Sequence, residues 1–485
     1  MNYSIIKRTL GFLLIFEAVF LALPLVTAAI YWETAFFAFL ISIAICLAVG
    51  WLCTRKKPKN QTIYNKEGFV IVALSWVVLS LFGALPFYLS GAIPSYVDAL
   101  FETVSGFTTT GATIMPDGAS IEALPKSILL WRSFTHWIGG MGVLVFIMAF
   151  LPLSGAQNMH MMKAESPGPT VGKLVPKVKQ TAKILYTIYT AMTALQLILM
   201  LAGGMPIFDA INTAFATAGT GGFAIKADGF AGYSSYLQIV VTVFMFLFSI
   251  NFNSYYLIGK GKWRDAFTTE VKAFLGIVFT AIALILANLF FNGVVDYGYS
   301  LKEGLKHVAF TVVSVISTTG FATENFDLWP SFSKAILVLL MFIGACAGST
   351  GGGMKVSRMV MLSKEARHEV GRILHPKQVK KITMDKRVVE HEVVRSLNAY
   401  FTAYVLVFVI SLLLISLEGY DMVTNFTSVV TTINNIGPGL SLVGPVGSFS
   451  FFSDFSKLVY IFDMLAGRLE IFPMLVLFSA NTWKK

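Results

Sequence analysis

A short motif that ends in glycine occurs four times in this chain, and it constrains the fold more than any other feature. The copies lie 98 to 117 residues apart. Each glycine follows a short polar run, which follows an apolar stretch too short to cross a bilayer. The four copies are Thr108-Thr109-Thr110-Gly111-Ala112, Gly219-Thr220-Gly221-Gly222-Phe223, Ser317-Thr318-Thr319-Gly320-Phe321 and Asn434-Asn435-Ile436-Gly437-Pro438. Four copies of one loop can surround a single axis, so the repetition predicts an ion-selective pore.

The composition excludes an ordinary soluble protein. Hydrophobic residues make up 56% of the chain and charged residues only 13%, whereas soluble domains contain about 25% charged residues. Apolar runs of about 20 residues recur along the chain, which predicts an all-α polytopic membrane protein. The net charge of +11 does not indicate nucleic-acid binding, because Lys and Arg cluster between the apolar runs as they do in cytoplasmic loops.

The order of the apolar runs predicts an N-terminal two-helix hairpin followed by four similar units. The hairpin runs are at about 10–31 and 34–54, and we expect the first to be retained rather than cleaved. Each unit has a spanning run, a short stretch that ends in the glycine motif and re-enters the membrane, and a second spanning run. This gives about ten transmembrane helices around one central pore. The predicted boundaries are 1–60 for the hairpin and 61–160, 161–265, 266–385 and 386–485 for the four units.

Basic residues lie between the units and at both ends of the chain. Lys7 and Arg8 precede the hairpin, and Lys484 and Lys485 end the chain. The positive-inside rule places such segments in the cytoplasm, so each unit must cross the membrane an even number of times. Two helices and one re-entrant loop satisfy this requirement and place both termini in the cytoplasm.

An acidic residue precedes each glycine motif. Asp98 and Asp209 lie 13 residues before their glycines, and Glu303 and Asp421 lie at looser spacings. A carboxylate at the start of a short helix complements the helix dipole, so the end with partial negative charge faces the loop. This arrangement favours cations.

Backbone carbonyl groups of the four loops are the predicted ion ligands. A dehydrated monovalent cation needs oxygen ligands in place of water, and non-helical backbone can supply them at membrane depth. Glycine permits the positive φ angles that turn successive carbonyls toward one axis. A single Thr-Gly pair in a membrane protein more often serves close helix packing, so it is the fourfold repetition that favours a pore.

With these four units and glycines, the chain resembles the TrkH/TrkG/KtrB/HKT superfamily of potassium transporters over about residues 68–480, and its N-terminal hairpin resembles the bacterial TrkH branch. The resemblance implies K⁺ uptake across the bacterial inner membrane through a channel-like pore, with Rb⁺ as a second permeant ion. It also implies a homodimer that binds a cytosolic TrkA-like nucleotide-binding subunit. Glycine in all four copies argues for K⁺, because some plant relatives that prefer Na⁺ carry serine at the position of Gly111.

The resemblance implies that the K⁺ ligands are backbone carbonyls of a twelve-residue filter. These residues are Thr109, Thr110, Gly111, Thr220, Gly221, Gly222, Thr318, Thr319, Gly320, Asn435, Ile436 and Gly437. The fourth motif departs from the Thr-rich pattern, so the fourfold symmetry is approximate. No covalent cofactor is expected, since K⁺ is the substrate. The chain has no Walker A or Rossmann fingerprint, so nucleotide control must come from the partner.

A Gly-rich segment at 344–353 interrupts the second span of the third unit. Each glycine in a helix costs about 1 kcal/mol relative to alanine, so the segment is predicted to be an unwound loop across the conduction path; close helix packing is the alternative. In the family resembled, this position is an intramembrane gating loop. The implied gate residues are Gly344, Ala345, Cys346, Gly348, Gly351, Gly352, Gly353, Lys355 and Arg468.

Arg468 lies in the last span, where a charge is expensive unless it faces water or a partner. It either pairs with Asp463 or Glu470 or faces the pore. In the family resembled, a basic residue in this helix lies just inside the filter, where it would oppose cations. Lys355 either joins this network or faces the cytoplasm, and His136 is predicted to be a packed residue rather than a functional one.

Two other classes of function remain to be weighed. A secondary active K⁺ symporter coupled to H⁺ or Na⁺ is the alternative, but such transporters usually contain inverted repeats, whereas these repeats are parallel and fourfold. An intramembrane enzyme needs a nucleophile, an acid pair or a metal constellation in its spans. The sequence shows none, so the chain is predicted not to be an enzyme. The basic joins at 163–169 and 355–395 either dock a cytosolic partner or carry charge that only sets the topology.

Overall fold

The fold was analysed in a computed structural model, which describes residues 1–57, 64–142, 178–293, 300–375, 381–385 and 387–484. Over these ranges the chain is mostly helical. The only strands within them are Thr383–Met384 and Arg387–Val388, which pair antiparallel. The prediction of an all-α membrane architecture is confirmed at this level.

Six helices in the described ranges are long and apolar enough to cross a membrane. They are the two helices of the hairpin and the first helix of each unit: Tyr3–Ile30, Ala35–Thr54, Lys66–Leu89, Gln180–Ala202, Thr269–Phe291 and His391–Glu418. The third span consists of two helices, Asn65–Gly83 and Leu85–Leu89. The fourth span is part of a helix that begins at Val178. The sixth span consists of the helix His391–Ile415 and the 3₁₀ turn that follows it. The chain is thus a multi-pass membrane protein, and the count of about ten spans stays a prediction.

The N-terminal hairpin is held together by a close glycine crossing. A side chain at Gly11 would run into Cys53 and the carbonyl of Gly50, and one at Gly50 would meet the carbonyl of Gly11 at 2.9 Å. Small residues of this kind let membrane helices approach closely. Cys46, Cys53 and Cys346 are all free thiols.

A short helix precedes each glycine motif. These helices are Tyr96–Phe107, Ile207–Ala218, Leu301–Ile316 and Met422–Asn434. They are 12 to 16 residues long, which is too short for a hydrocarbon core of about 30 Å. Asp98, Asp209 and Glu303 lie in the first turns of the first three, and Asp421 caps the fourth. Each short helix therefore has its acidic residue at the start and its glycine motif at the end.

The second helix of each unit is also short. These helices are Lys126–Gly140, Ser235–Phe248, Ser331–Ile343 and Asp454–Arg468. At about 1.5 Å per residue, each covers only about 20–23 Å. Three of them continue, after a break, as Phe252–Gly259, Val356–Leu374 and Phe472–Phe478, while the residues after the first, 143–177, lie outside the described ranges.

The sequence predicted such a break in the third unit alone, and the expectation of one continuous second span is wrong in the second and fourth units. In the second unit the two helices meet at 92°, because the side chain of Asn251 accepts a hydrogen bond from the Asn253 N–H and starts a new helix. In the fourth unit Glu470 and Ile471 adopt φ angles of 58° and 66°, which no right-handed helix can contain.

The remaining elements are short. They are the helices Gly118–Glu122, Trp263–Ala266 and Ala480–Trp483 and the 3₁₀ turns Phe326–Leu328, Ser416–Glu418 and Ser441–Val443. The hydrophobic interior has two large clusters, one shared by the hairpin, the first unit and the last helices, the other by the second and third units. The glycine motifs lie where the four short helices converge between these clusters.

Candidate functional site

The four glycine motifs, which we call the first to fourth glycine loops, share one backbone conformation. The residue two positions before each motif glycine is left-handed: Thr109, Thr220, Thr318 and Asn435 have φ between 54° and 60°. The glycines themselves have φ between 79° and 97°. For a β-branched residue this region is strained, at a cost of about 1–2 kcal/mol. The surrounding structure must therefore hold the loops in place.

Each short helix ends with the same pair of hydrogen bonds. The N–H of the left-handed residue bonds the carbonyl three residues back, and the next N–H bonds the carbonyl five residues back. In the first loop these bonds run from Thr109 to Gly106 at 3.1 Å and from Thr110 to Ser105 at 2.9 Å. This is the Schellman arrangement, which satisfies the last carbonyls of a helix and turns the chain sharply away from its axis.

The four loops contact each other in chain order and close a ring. A side chain at each motif glycine would overlap or crowd the carbonyl oxygen of a residue in the next loop. The pairs are Gly111 with Gly221, Gly222 with Thr319, Gly320 with Ile436, and Gly437 with Thr110. Each of these carbonyls comes from the residue directly before the next motif glycine. Glycine is therefore needed for close approach as well as for positive φ.

Within the described part of the chain, no donor bonds to the carbonyl oxygens of the ring. None of the twelve predicted filter residues accepts a hydrogen bond at its carbonyl from any residue within the described ranges. Most of these residues are buried, and buried carbonyls are ordinarily paired. The ring thus presents a concentrated set of oxygen atoms with free lone pairs.

Hydrogen bonds between polar side chains support the glycine loops. The hydroxyls of Thr108 and Thr110 are 2.8 Å apart, and those of Ser317 and Thr319 are 2.7 Å apart. Asn435 donates from Nδ2 to the Thr110 hydroxyl at 3.0 Å, which links the fourth loop to the first. These side chains support the loops through bonds to each other.

His136 joins the first loop to the second. Its Nδ1 lies 2.8 Å from the Gly106 carbonyl, and its Nε2 accepts the Phe223 N–H at 3.3 Å. A carbonyl accepts only from a protonated nitrogen, so these partners fix the neutral ring with its hydrogen on Nδ1. His136 is buried and packed, as the sequence predicted, but its place between two loops was not foreseen.

A buried ion pair supports the first loop next to the chain that leaves it. Arg132 and Glu102 approach to 2.7 Å, and both are almost fully buried. Glu102 also accepts the N–H of Ile114 at 3.0 Å, which ties the short helix to the chain leaving the loop. Sequence reasoning missed this pair, although a charge inside an apolar span such as Arg132 is itself a signal of a functional or paired group.

The Gly-rich segment, residues 344–353, lies directly against the third and fourth loops. The Gly352 N–H donates to the Thr318 hydroxyl at 2.6 Å, and the Gly353 N–H donates to the Asn434 carbonyl at 3.0 Å. A side chain at Gly351 would meet the Ser317 carbonyl at 2.8 Å. The unwound loop that the sequence predicted is therefore present, and it touches two of the four loops.

The same segment fills the break in the second unit. The N–H groups of Cys346 and Thr350 donate to the carbonyls of Ser249 and Phe248, at 3.1 and 3.3 Å. The Phe252 N–H donates to the Gly348 carbonyl at 3.0 Å. A broken helix leaves unpaired backbone groups at both new ends, and here the Gly-rich segment supplies their partners.

Close contacts between glycines hold the base of the Gly-rich segment. A side chain at Gly344, where φ is 70°, would meet the Cα of Gly353 at 2.6 Å. The Ala345 N–H approaches the Gly352 carbonyl at 3.4 Å. The segment thus leaves and rejoins the helical path at nearly one point.

Glu270 binds the segment and the start of the helix that follows it. One of its carboxylate oxygens accepts the N–H of Ala347 at 2.7 Å and the N–H of Ser357 at 3.0 Å. Glu270 lies in the first turn of Thr269–Phe291 and is 6% exposed. Its role escaped sequence reasoning because the partners are 77 and 87 residues away.

Arg468 connects the end of the helix Asp454–Arg468 to the Gly-rich segment and to the first unit. It donates to the Thr350 carbonyl at 2.9 Å and to the Gly139 and Gly140 carbonyls at 2.5 and 2.9 Å. The last two acceptors are the end of helix Lys126–Gly140, where a cation is favoured by the helix dipole. Lys355 joins this network rather than facing the cytoplasm, because it is 4% exposed and donates to the Gly351 carbonyl.

A second ion pair joins the helix Val356–Leu374 to the break at Glu470 and Ile471 in the fourth unit. Arg358 and Glu470 approach to 2.5 Å. The guanidinium of Arg358 also lies 4.0 Å from the centre of the Tyr400 ring. The described residues contain no group of three His, Cys, Asp or Glu side chains that could hold a metal ion.

These features define a class: a polytopic helical membrane protein in which half-spanning helices bring four backbone loops into one ring. A family model described as TrkH, a cation transport protein, matches residues 34–485. The chain belongs to the TrkH family of cation transport proteins. Its members are transporters, so the prediction that the chain is not an enzyme is confirmed.

The similarity to individual relatives extends over whole chains. The Trk system potassium uptake protein TrkH of Salmonella typhimurium is 36% identical, and TrkG of Escherichia coli is 32% identical. The alignments cover all of this chain and 100% and 99% of the two relatives. The crystal structure of the potassium transporter TrkH from Vibrio parahaemolyticus matches with a TM-score of 0.88 at 33% identity and covers all of both chains.

Proposed function

We propose that this protein takes up K⁺ through a channel-like pore whose selectivity filter is the ring of glycine loops. The observation that carries the proposal is the ring itself: four loops of equal conformation, in contact in chain order, with carbonyl oxygens that bond to no described donor. The relatives named as potassium uptake proteins support K⁺ as the ion. Rb⁺ would pass by the same ligands.

Electrostatics favour a cation at this point. Each short helix begins with an acidic residue and ends at the ring. Four helix C-termini therefore turn their partial negative charge toward the ring. An entering cation exchanges water for carbonyl oxygens, which are the ligands that K⁺ filters use. The twelve filter residues, from Thr109 to Gly437, are proposed as its binding site.

The Gly-rich segment is proposed as the gate. It lies against the third and fourth loops, and its hydrogen bonds to Thr318 and Asn434 leave no described residue between gate and filter. The charges of Arg468 and Lys355 are bonded to its carbonyls and would repel a cation that has passed the filter. Opening would move the segment and these two charges together.

The surrounding assembly is proposed from the family resemblance and the charge pattern. The protein would lie in the bacterial inner membrane with both termini in the cytoplasm, as a homodimer that binds a TrkA-like nucleotide-binding subunit. The predicted docking join at 163–169 lies outside the described residues. The other, at 355–395, contains the helix Val356–Leu374 and the two-stranded hairpin. The unit boundaries given above are part of the same proposal.

Cation flux into proteoliposomes that contain this chain alone tests the proposal. We expect cation flux driven by a K⁺ gradient. Added K⁺ or Rb⁺ should compete with this flux, and added Li⁺ should not. Gly111→Ser should reduce the selectivity for K⁺ over Na⁺, and Arg468→Ala should raise the flux. An absence of cation flux from folded protein inserted in the liposomes would overturn the proposed pore.

Coupled symport with H⁺ or Na⁺ is the second candidate, and one observation favours it. Asp463 is buried in the last span, where one carboxylate oxygen accepts the Ser411 hydroxyl at 2.7 Å. The other has no hydrogen-bond partner within the described ranges. A buried carboxyl of this kind can carry a proton. Flux that requires an imposed H⁺ gradient, and loses that requirement in Asp463→Asn, would establish symport.

A further inference from the structure

A basic pocket lies between the helix Val356–Leu374 and the strand residues 381–383. Its volume is about 260 Å³. The side chains that line it include Lys364, Arg367, His368, Arg372 and Lys381, and none of its lining residues is acidic. The pocket lies within the join at 355–395 that is proposed to dock a cytosolic subunit, but the proposed filter and gate do not use it. We propose that this pocket binds the phosphate group of an anionic phospholipid at the membrane surface.

The pocket is built by two elements fixed to one another. Lys364 donates from Nζ to the Thr383 carbonyl at 2.8 Å, which holds the strand against the helix. Arg372 pairs with Glu369 at 2.6 Å, so its charge is partly balanced. The guanidinium of Arg367 and the ammonium of Lys381 supply the remaining positive charge on the two walls. Such a cluster suits a phosphate, which accepts several charged hydrogen bonds at once.

Two membrane spans place the pocket at the level of the lipid headgroups. The Thr269 N–H and hydroxyl, at the start of the span Thr269–Phe291, donate to Asp385 at 2.6 and 2.8 Å. Asp385 follows the pocket strand directly. The next span begins at His391, three residues after the hairpin. Because both predicted spans begin here, we place the pocket at the boundary between hydrocarbon and water.

The adjoining helix surface supports a lipid rather than a soluble anion. Val370, Ile373 and Leu374 lie beside the pocket residues in the chain, and each is more than half exposed. A helix with basic side chains on one face and exposed apolar side chains on another lies naturally in the membrane interface. The headgroup phosphate would enter the pocket, while these three side chains, on another face of the helix, would contact the surrounding bilayer.

Gly371 offers a way to block the pocket without changing its charge. It lines the pocket, and a side chain built there meets nothing within 4 Å. Gly371→Leu would project into this space, and leucine is a better helix former than glycine. Arg367→Gln with Lys381→Gln removes charge instead and leaves Lys364 to hold the strand. Lys260→Gln with Lys262→Gln, in another basic join, is the matched control for lost charge.

The test is thermal unfolding of the full-length protein in uncharged detergent, titrated with phosphatidylglycerol, phosphatidylcholine or inorganic phosphate. We expect only phosphatidylglycerol to raise Tm. Gly371→Leu and the Arg367/Lys381 variant should each weaken its apparent affinity, the latter by about 30-fold, while the control and Arg367→Lys with Lys381→Arg retain it.

Three outcomes would overturn the proposal. Full affinity in Gly371→Leu would show diffuse attraction to charge without a pocket. An equal loss of affinity for phosphatidylglycerol in the Lys260/Lys262 control would also show diffuse attraction to charge. An equal rise of Tm with inorganic phosphate would show that the pocket takes a free anion.

Discussion

The Gly352 N–H donates a hydrogen bond of 2.6 Å to the Thr318 hydroxyl and so joins the proposed gate directly to the proposed filter. Thr318 is itself held in a left-handed conformation that a β-branched residue disfavours. The bond therefore links a strained filter residue to a segment rich in glycine. A displacement of the segment would release this constraint on the third loop, so we expect the proposed gate and the proposed filter to be coupled.

Thr318→Val tests this coupling. Valine keeps the β-branched shape but leaves the buried Gly352 N–H without its acceptor, at a cost of about 1–3 kcal/mol. We expect the segment to leave its position more often and K⁺ flux to rise by about tenfold. Thr109→Val is the matched control, because the Thr109 hydroxyl has the equivalent position and no hydrogen-bond partner in the described ranges. Equal flux in the two variants would disprove the coupling.

Gly222→Ala separates backbone strain from contact between loops. A methyl group at Gly222, where φ is 79°, would overlap the Thr319 carbonyl oxygen of the next loop. Gly204 has φ of 82° and no atom within 4 Å of such a methyl group. Both substitutions strain the backbone by about 1 kcal/mol, so both should lower Tm slightly. Only Gly222→Ala should reduce the ratio of K⁺ to Na⁺ flux, and an equal reduction in Gly204→Ala would contradict the ring.

Glu270→Ala should loosen the Gly-rich segment. The change removes the acceptor of two buried N–H groups, those of Ala347 and Ser357. Cys346, buried within the segment, is a natural reporter once Cys46 and Cys53 are replaced by alanine. We expect a maleimide to label it about ten times faster in Glu270→Ala, since about 1.4 kcal/mol of stabilisation is lost.

Two further variants make this experiment specific. Glu270→Gln keeps an acceptor oxygen and should label at an intermediate rate. Glu392→Ala also removes an acidic residue from the first turn of a spanning helix, but Glu392 is exposed, so its labelling rate should match the parent. Unchanged labelling in Glu270→Ala would mean that the carboxylate does not hold the segment.

Asp421 should make the fourth short helix sensitive to acid. Hydrogen bonds from the Thr424 side chain and backbone lower the pKa of Asp421 below its ordinary value. A lowered pKa in the folded state adds stability above the ordinary pKa, near 4, and that stability is lost as the pH falls through the folded value. Asp421→Asn keeps the cap, and its Tm should fall less than that of the parent protein between pH 5 and pH 3. An identical loss in both would place the acid sensitivity elsewhere.

Much of the fold could be predicted because its signals are local. Apolar runs, basic joins and a glycine after each short stretch predicted a helical membrane protein with repeated loops. Gly344 to Gly353 predicted an unwound segment because few helices tolerate so many glycines. The acidic residue at the start of each short helix followed from capping and the helix dipole alone.

The remaining features depend on tertiary contacts. Thr109 and Thr318 adopt left-handed φ against their intrinsic preference, which only the packed ring can impose. The break at Glu470 and Ile471 has one local signal, Pro473 at the start of the next helix, but nothing local predicts a positive φ at two residues that carry side chains. Glu270 acts on residues that are distant in sequence, and its neighbours in the chain gave no indication of its partners.

The most direct test of the central claim is the position of a bound ion in an experimentally determined structure of this protein grown in Rb⁺. Anomalous scattering locates Rb⁺ without reference to the protein atoms. We expect a peak inside the ring, coordinated by the carbonyl oxygens of Thr110, Gly221, Thr319 and Ile436 or of their neighbours in the four loops, and we expect its loss in Gly222→Ala. A ring without Rb⁺, with the ion bound instead by side-chain carboxylates such as Asp463, would contradict this claim.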